Sequence, residues 1–219
     1  MIAVFFEVTP RSGQEGHYLD IAGALKPELD KNTGLLFLER YNSLSRAGTL
    51  LSHQIWSDEA SLTRWRTNDR HHGAQQSGRD SVFEDYRLRV GVVIAETSQG
   101  GVAPVMEGIA YNDPLLQPER FVVVVRSFSE AVPLAESGES FESVYRPGEF
   151  VWLDRVSDRT AGYDALADAG KREHVSAAQL VLVSRDYGLL DRREAPQHFP
   201  TPAVDAMPRP PSRCRPIRA

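Results

Sequence analysis

Residues 55–90 read IWSDEASLTRWRTNDRHHGAQQSGRDSVFEDYRLRV, and this stretch decides the fold. A strand ends at Trp56, an acidic turn follows, and the next segment carries Trp65 into the adjacent His71 and His72. The final segment alternates apolar residues with arginines, as a strand with one buried face does. Indole and imidazole rings on one helix are unusual for a surface that only meets solvent. The stretch therefore predicts a strand–helix–strand unit whose helix is a candidate site.

The composition is typical of a soluble globular protein and excludes several functions. The chain has 219 residues, of which 41% are hydrophobic and 25% charged, a length that suits one large domain or two small ones. The net charge of -5 favours neither nucleic acid nor an anionic membrane as a partner. No apolar run approaches the roughly 20 residues that span a bilayer, and the opening MIAVFFEV lacks a basic leader. We expect a cytoplasmic protein, and the single Cys214 excludes an intrachain disulfide or a cysteine metal cluster.

The first 96 residues predict the order β-α-β-β-α-β. Apolar or alternating segments indicate strands at residues 2–8, 35–42, 49–56 and 82–95. Apolar residues at helical spacing indicate a helix at 14–30, which Pro27 should kink or end early. Asp58 suits the N-cap of a second helix that runs to about Ser77. Two β-α-β units whose helices cover one face of an antiparallel sheet make a ferredoxin-like α+β domain.

Four features of this region resemble the antibiotic biosynthesis monooxygenase (ABM) family of small α+β-barrel proteins. They are the opening strand, the helix start WSDEASLTRWR, the run His71-His72-x-x-Gln75 and the exit strand FEDYRLRV. The resemblance covers residues 1 to about 95 and implies that two such sheets pack face to face, usually in a homodimer. It also implies a monooxygenase, in a family of quinol oxygenases, haem-degrading enzymes and members without a known substrate.

A degenerate second copy of this unit is predicted behind the first, at an offset of 100 residues. The fragments SLSRAGTLLSHQIWSD (43–58) and SVYRPGEFVWLDRVSD (143–158) each read as a hairpin, a strand and an Asp cap. The matching positions are Arg46 and Arg146, Gly48 and Gly148, and Asp58 and Asp158. The rest of the copy is assigned to strands at 121–126 and 178–184, a short helix at 160–169, and a reduced first helix at 129–138.

The predicted organisation therefore has four parts. They are an ABM-like domain at 1–96, a linker at 97–118, the degenerate copy at 119–199 and a disordered Pro/Arg-rich tail at 200–219. A sheet with helices on one face must bury its other apolar face. The second copy either supplies that cover within one chain, as a pseudo-dimer, or hangs outside a homodimer of first copies. The sequence leaves both arrangements open.

The resemblance implies a chemistry without a cofactor or metal. Cofactor-independent oxygenases of the family bind a phenol or hydroquinone and help to deprotonate it, and the electron-rich anion reacts with molecular oxygen. Trp65 is the first candidate for an aromatic wall with an N–H donor, and Asn68 for a hydrogen bond to a substrate carbonyl. Both have plainer alternatives: Trp65 packs the helix onto the sheet, or Asn68 faces solvent.

Imidazoles and arginines supply the candidates for proton transfer and anion binding. His72 lies seven residues after the candidate tryptophan, close to the same helical face, and is therefore a better base than His71. Arg87 in the exit strand suits a phenolate or quinone oxygen, unless it pairs with Glu7 or Glu39. Further substrate-binding candidates are His53, Trp56, His71, Phe83 and Tyr86.

Two comparisons within the chain bear on the location of the site. Alternation divides the third strand into one face with Leu51, His53 and Ile55 and another with Ser52, Gln54 and Trp56. Either face could line a cavity.

In the second copy, Ala165 and Arg172 stand where the first copy has Trp65 and His72. We therefore expect a catalytic pocket in the first copy only, closed or shaped by the second.

Two functions remain open from the sequence. The first is a cofactor-independent monooxygenase that uses molecular oxygen on a small aromatic phenol or quinol. The alternative is a non-catalytic ligand-binding or assembly protein of the same fold. Haem degradation is disfavoured, because the first strand offers Phe6 and Glu7 where that branch has Asn, and Gln75 stands where it has His. An enclosed cavity of about 300 Å³ or more with converging polar groups would favour the enzyme.

Overall fold

The computed structural model describes residues 1–98, 101–105 and 119–196, and it confirms the predicted α+β class. The strands are β1 (Ile2–Pro10), β2 (Leu35–Ser43), β3 (Leu50–Trp56), β4 (Phe83–Ser98), β5 (Gly101–Pro104), β6 (Phe121–Phe128), β7 (Glu139–Ser143), β8 (Glu149–Val156) and β9 (Val175–Gly188). The helices are α1 (Glu15–Leu29), α2 (Glu59–Arg66), α3 (Asp69–Ser77) and α4 (Arg159–Ala169), and a π-helical turn, Gly78–Val82, precedes β4. Among the described ranges, no helix has the length and apolar character needed to cross a membrane.

Eight of these strands close into an antiparallel, barrel-like ring. The order around it is β1-β3-β2-β7-β8-β6-β9-β4, and β4 pairs again with β1. Apolar side chains from all eight strands fill the interior, among them Phe5, Tyr41, Leu51, Val93, Val122, Phe141, Val151 and Val181. The ring buries the inward face of every strand, which is the main reason why it closes.

The second half of the chain supplies half of this ring. Strand β2 pairs with β7 on one side, and β4 pairs with β9 on the other. The arrangement in which the second copy hangs outside the sheet is therefore wrong for this chain, because its strands are hydrogen-bonded into the sheet. The apolar inner face of the first half meets its cover within the same molecule.

The second half keeps one of its two predicted helices. The predicted short helix is confirmed as α4, where the Asp158 carboxylate accepts a hydrogen bond from the Ala161 N–H at 2.9 Å. The reduced helix predicted at 129–138 is wrong, because this segment forms bends and turns. A Cβ on Gly138 would lie 2.3 Å from the Trp152 indole, so the backbone passes directly over that ring. Trp152 thus covers the sheet where a helix would otherwise lie.

Two helix predictions in the first half also need correction. Pro27 does not end α1 early, because the helix finishes at Leu29 and the proline lies in its last turn, where one backbone hydrogen bond is lost. The helix predicted from 58 to 77 is two helices. Asn68 leaves helical dihedrals (φ -63°, ψ 128°), and its side-chain oxygen accepts from the His71 N–H at 3.1 Å. Asn68 is thus the N-cap of α3. The break between α2 and α3 changes the directions in which the α3 side chains point relative to Trp65.

Part of the predicted linker is a strand. Thr97 and Ser98 end β4, and β5 pairs back onto residues 95–98 as a hairpin. The rest of the linker, 106–118, and the tail predicted at 200–219 lie outside the described residues.

Candidate functional site

An apolar cavity of about 180 Å³ lies between α1, α2 and α3 and the outer face of the first-half sheet. The strands contribute Val4, Phe6, Leu88 and Val90, and the helices contribute Tyr18, Ile21, Leu25, Leu62, Trp65 and His71. From β3, Ser52 and Gln54 line the cavity, whereas Leu51 and Ile55 belong to the barrel interior. The sequence does not decide which face of β3 lines the cavity. In the structure it is the face with Ser52 and Gln54.

Trp65 and His71 form one wall of this cavity. Their rings stack with centroids 4.2 Å apart and planes 17° apart, and His71 Nδ1 donates to the Trp65 carbonyl oxygen at 2.9 Å. The helix break at Asn68 produces this contact. The expectation for His72 rested on a continuous helix, and His72 is not among the described residues that line the cavity. The imidazole that the structure brings to Trp65 is His71.

His71 is half-buried, and the groups packed around its ring determine its charge. Burial lowers the pKa of His71 to about 4, against a smaller opposing effect of its hydrogen bond to the Trp65 carbonyl. The ring is therefore neutral at pH 7. Because Nδ1 donates its proton to that carbonyl, Nε2 carries the lone pair. His71 thus offers the cavity a hydrogen-bond acceptor and not a cation.

A second group of polar side chains lines the sheet side of the cavity. The Gln54 amide donates to Ser52 Oγ at 3.2 Å, and its oxygen accepts from the Trp56 indole N–H at 3.0 Å. Trp56, a predicted substrate contact, is fully buried and orients Gln54 instead of lining the cavity. Burial raises the pKa of the Tyr18 hydroxyl, and the adjacent Arg40 guanidinium opposes this shift. Tyr18 and Arg40 thus present an O–H and a positive charge together.

A smaller cavity of about 70 Å³ adjoins the first, and we call it the vestibule. The two share Phe6, Gln75, Phe83 and Leu88, among others. The polar lining of the vestibule consists of Arg66, Arg79, Arg192, Tyr86, Tyr187 and Gln75. Two predicted substrate contacts, Phe83 and Tyr86, therefore lie around the same space. Burial and the neighbouring Tyr86 raise the pKa of Tyr187 to about 12, so its hydroxyl stays protonated.

The second half of the chain completes the first-half cavity. Arg185 and Tyr187 of β9 and the following Pro196 form part of its wall. The equivalent space in the second half is occupied: Trp152 pairs with Val125 in the same way that Ser52 pairs with Phe6. In the second half, the Trp152 indole thus fills the position that corresponds to the first-half cavity.

Arg87 lies away from both cavities. Its guanidinium makes two hydrogen bonds to the Asp186 carboxylate, at 2.9 and 2.7 Å. It pairs with neither Glu7 nor Glu39, the partners expected from the sequence. Glu7 pairs with Arg89 at 2.5 Å, and Glu39 pairs with the second half. Arg87 therefore lines neither cavity and is already engaged by an acidic partner of β9, so its predicted role as an oxyanion ligand stays a prediction that this site does not use.

His53 lies on the other side of the sheet, inside the barrel. It is fully buried and stacks on Phe5, with ring centroids 4.9 Å apart and planes 14° apart. Burial lowers its pKa to about 3. It is therefore a neutral core residue and not a cavity ligand. Across the described ranges, no group of three or more His, Cys, Asp or Glu side chains is placed to hold a metal ion.

Several lining residues escaped prediction from the sequence. They are Tyr18, Arg40, Gln54, Arg66, Arg185 and Tyr187. Gln54 lies on one of the two faces of β3 between which the sequence does not decide. Knowing which face lines the cavity would have identified this residue. Arg185 and Tyr187 had no local signal, because only the long-range pairing of β9 with β4 brings them to the cavity.

A closed antiparallel sheet with outer helices around a small apolar cavity defines an α+β-barrel protein with a candidate small-molecule site. The family model described as antibiotic biosynthesis monooxygenase matches residues 1–77. Jasmonate monooxygenase ABM of Pyricularia oryzae is 37% identical over 220 residues, which cover 91% of this chain and 99% of that protein. The chain therefore belongs to the antibiotic biosynthesis monooxygenase family, and this membership supports a monooxygenase-type function.

Solved structures resemble this chain only distantly. An antibiotic biosynthesis monooxygenase is 12% identical and covers 43% of this chain and 99% of its own, with a TM-score of 0.39. An anthrone oxidase-like protein is 12% identical and covers 89% and 96%, with a TM-score of 0.36. A conserved protein from Methanosarcina mazei Go1 is 17% identical and covers 41% and 88%, with a TM-score of 0.38.

Proposed function

We propose that this protein is a cofactor-independent monooxygenase that oxidises a small phenol or quinol with molecular oxygen. The observation that carries the proposal is the apolar cavity with the stacked Trp65–His71 pair in its wall. An aromatic wall suits a flat ring, and a few converging polar groups orient it. The cavity and the vestibule together stay below the roughly 300 Å³ given above as favouring an enzyme, so their volume does not support catalysis and only limits the size of the ligand. The substrate is accordingly small.

A quinol satisfies the electron balance of the reaction by itself. One hydroquinone and one O₂ give one hydroxyquinone and one water, so the substrate supplies all four electrons that reduce O₂. One oxygen atom enters the new C–OH bond, and the other leaves as water. The reaction needs an electron-rich anion of the substrate, because O₂ accepts electrons far more readily from a phenolate than from the neutral phenol.

The lining residues divide this task between them. Arg40, beside the Tyr18 hydroxyl, stabilises the developing phenolate by charge and hydrogen bonding. His71 Nε2 accepts a substrate hydroxyl hydrogen bond. Its low pKa makes it an orienting acceptor and only a weak base at neutral pH. Trp65 holds the ring plane against the sheet.

A second substrate class is favoured by the curated relative. The jasmonate of that protein's name is a small apolar carboxylic acid with a ketone in its ring, and an identity of 37% makes a related substrate reasonable here. Hydroxylation of such a molecule consumes two electrons beyond those that it provides. This candidate therefore requires an external reductant, which distinguishes it from a quinol in a simple assay.

Oxygen consumption tests the proposal. The purified protein is supplied with a panel of hydroquinones and anthrones, and with jasmonic acid with and without NADPH. Wild type is compared with Trp65→Phe, His71→Gln and, as a control on exposed α1, His17→Gln. We expect quinol turnover without a reductant, lowered by at least about tenfold in the two cavity variants. Absence of turnover with every substrate would favour the non-catalytic alternative, whereas turnover that both cavity variants leave intact would refute the assigned site.

We also infer that the two halves arose by duplication and stand as a dimer within one chain. With the offset of 100, Asn42 of the first half pairs across the seam with its own counterpart, Glu142. On the other side, Val92 and Leu182 hold equivalent positions, next to the first residues of β1 and β6, and they pair with each other. Such self-pairing is the mark of a two-fold axis.

A reciprocal pair of salt bridges supports the same symmetry. Arg46 of the first half binds Glu139 of the second, and Arg146 of the second binds Glu39 of the first. The two arginines and the two glutamates are each 100 positions apart. In a symmetric dimer one contact must occur twice in this way. The observation favours a fused dimer over a chance likeness of two hairpins.

A further inference from the structure

The vestibule is strongly cationic although the protein is acidic. Arg66, Arg79 and Arg192 line it, and Arg185 lines the adjoining cavity. Among the described residues that line either space, none is Asp or Glu. The chain as a whole has a net charge of -5. Arg185 interacts electrostatically with Glu59, so the positive field that attracts an anion is that of the vestibule, where Arg79 and Arg192 lie.

Two of these arginines are available to a ligand. Arg79 lies in the π-helical turn and makes no side-chain hydrogen bond or ion pair within the part of the chain that the structure describes. Arg192 donates to the Tyr86 hydroxyl and lies 5.8 Å from the Tyr187 ring centroid, with no carboxylate partner among the described residues. The adjacent Arg193, by contrast, pairs with Asp191 at 2.6 Å. The neighbouring ring and hydroxyl hold Arg192 at the vestibule and leave donors for an anion.

The shape of the two spaces defines the kind of anion. The cavity is apolar, and it opens toward the vestibule through Phe6, Phe83 and Leu88. A molecule that fills both spaces has an apolar body and one charged end. A guanidinium binds a planar carboxylate through two parallel hydrogen bonds, and the low dielectric of aromatic walls strengthens them. The small volume of the vestibule leaves room for a carboxylate and not for a longer polar chain.

We propose that the vestibule is a carboxylate-binding site, formed by Arg79 and Arg192, that selects small apolar acids as substrates. This inference rests on the proposed function and refines it by naming the charged end of the substrate. The ring of the acid lies in the cavity against Trp65, and its carboxylate lies between the two arginines. Aromatic acids that also carry a phenol or quinol hydroxyl combine this charged end with the ring that the proposed function oxidises.

Acids and their methyl esters test the site directly. The probes are 1-naphthoate and methyl 1-naphthoate, and jasmonic acid and methyl jasmonate. Their dissociation constants are measured by calorimetry or by tryptophan fluorescence at fixed ionic strength. We expect wild type to prefer the acid over the ester by at least about tenfold in one pair, the one whose ring fits the cavity. Arg79→Gln and Arg192→Gln should each weaken acid binding by about tenfold while ester affinity changes less than about twofold.

The matched control is Arg193→Gln, one residue from Arg192 and already paired outside the vestibule. It should leave the preference for the acid unchanged. Equal affinity for acid and ester in both pairs, or an equal loss in the control, would overturn the site. Turnover in wild type separates this failure from that of the proposed function. A quinol oxidised without acid preference rejects only the carboxylate site, and arginine-dependent acid binding without any turnover rejects only the oxygenase.

Discussion

Replacing His53 with leucine is expected to remove much of the acid sensitivity of the fold. The imidazole is fully buried in the barrel and stacks on Phe5, and its weak contact with the Val4 carbonyl is 3.4 Å long. Leucine is apolar and similar in volume, so the substitution keeps the core filled and discards only the titrating group. Glu39 lies opposite His53 in the register of β2 with β3, but Arg146 already engages its carboxylate, and Arg126 opposes an imidazolium.

The magnitude follows from the two protonation equilibria of His53. In the unfolded chain the imidazole binds a proton near pH 6.5, whereas burial lowers its pKa in the folded protein to about 3. Between these values the unfolded state holds one more proton, so the free energy of unfolding falls as pH falls. The slope approaches about 1.4 kcal/mol per pH unit, and the loss ends below about pH 3. From pH 7 to pH 4.5 it amounts to about 2.5 kcal/mol.

Urea denaturation at pH 7 and pH 4.5 measures this loss. Acidic groups and the half-buried His71 titrate in wild type and variant alike, so their effects cancel in the difference. Wild type should lose about 2.5 kcal/mol more than His53→Leu over this interval, and His17→Gln, which changes an exposed histidine, should behave as wild type. Equal losses in wild type and His53→Leu would refute the reasoning, because they would mean that His53 is protonated in the folded state or is not buried.

Three further predictions concern the site and the assembly. Ser52→Trp, which copies Trp152, should fill the cavity and abolish binding of a naphthalene-sized ligand with the circular dichroism spectrum unchanged; retained binding would contradict the cavity assignment. Asn68→Ala should cost about 1 kcal/mol of stability by loss of the α3 cap and lower turnover by displacing His71. Asn68→Ser should rescue both, which it would fail to do if Asn68 bound substrate. Light scattering should give the monomer mass of 24.4 kDa, because the pairings of β2 with β7 and of β4 with β9 already join the two halves within one chain. A doubled mass would oppose the pseudo-dimer.

Local signals predicted most elements of the fold, but not β5, the absence of a helix at 129–138 or the division of the second helix. Asp58 and Asp158 each follow a strand and begin a helix, and each accepts the expected capping hydrogen bond, at 2.7 and 2.9 Å. Closure of the ring was beyond local reasoning, because the pairings of β2 with β7 and of β4 with β9 join segments nearly 100 residues apart. The helix break was missed for a different reason. Asn68 was read as a polar residue on a helical face, although asparagine followed by Asp69 is also a typical helix start.

The candidate site was predictable where it is built from one segment. Trp65 and His71 come from the stretch that carries the family resemblance, and Phe83 follows on its exit strand. The sequence favours His72 over His71 only if one continuous helix carries both Trp65 and the histidines. The helix break at Asn68 removes that condition. The ion pair of Arg87 with Asp186 was not predictable, because no local pattern reveals the register of β9 with β4.

The duplication proposed above would also explain why the two halves have unequal cavities. In a symmetric homodimer every substitution appears in both cavities, so an arginine that helps one site also enters the other. In a single chain the halves can diverge: β9 places Arg185 and Tyr187 in the first-half cavity. Trp152, meanwhile, fills the corresponding space in the second half, where the covering helix is missing. On this proposal, the second half binds no substrate of its own and forms part of the wall of the first-half cavity. We expect substitutions of Arg185 and Tyr187 to alter ligand affinity as strongly as substitutions in α2 and α3, and ligand titrations of both groups would check this. Indifference of binding to both β9 residues would mean that the second half merely completes the barrel.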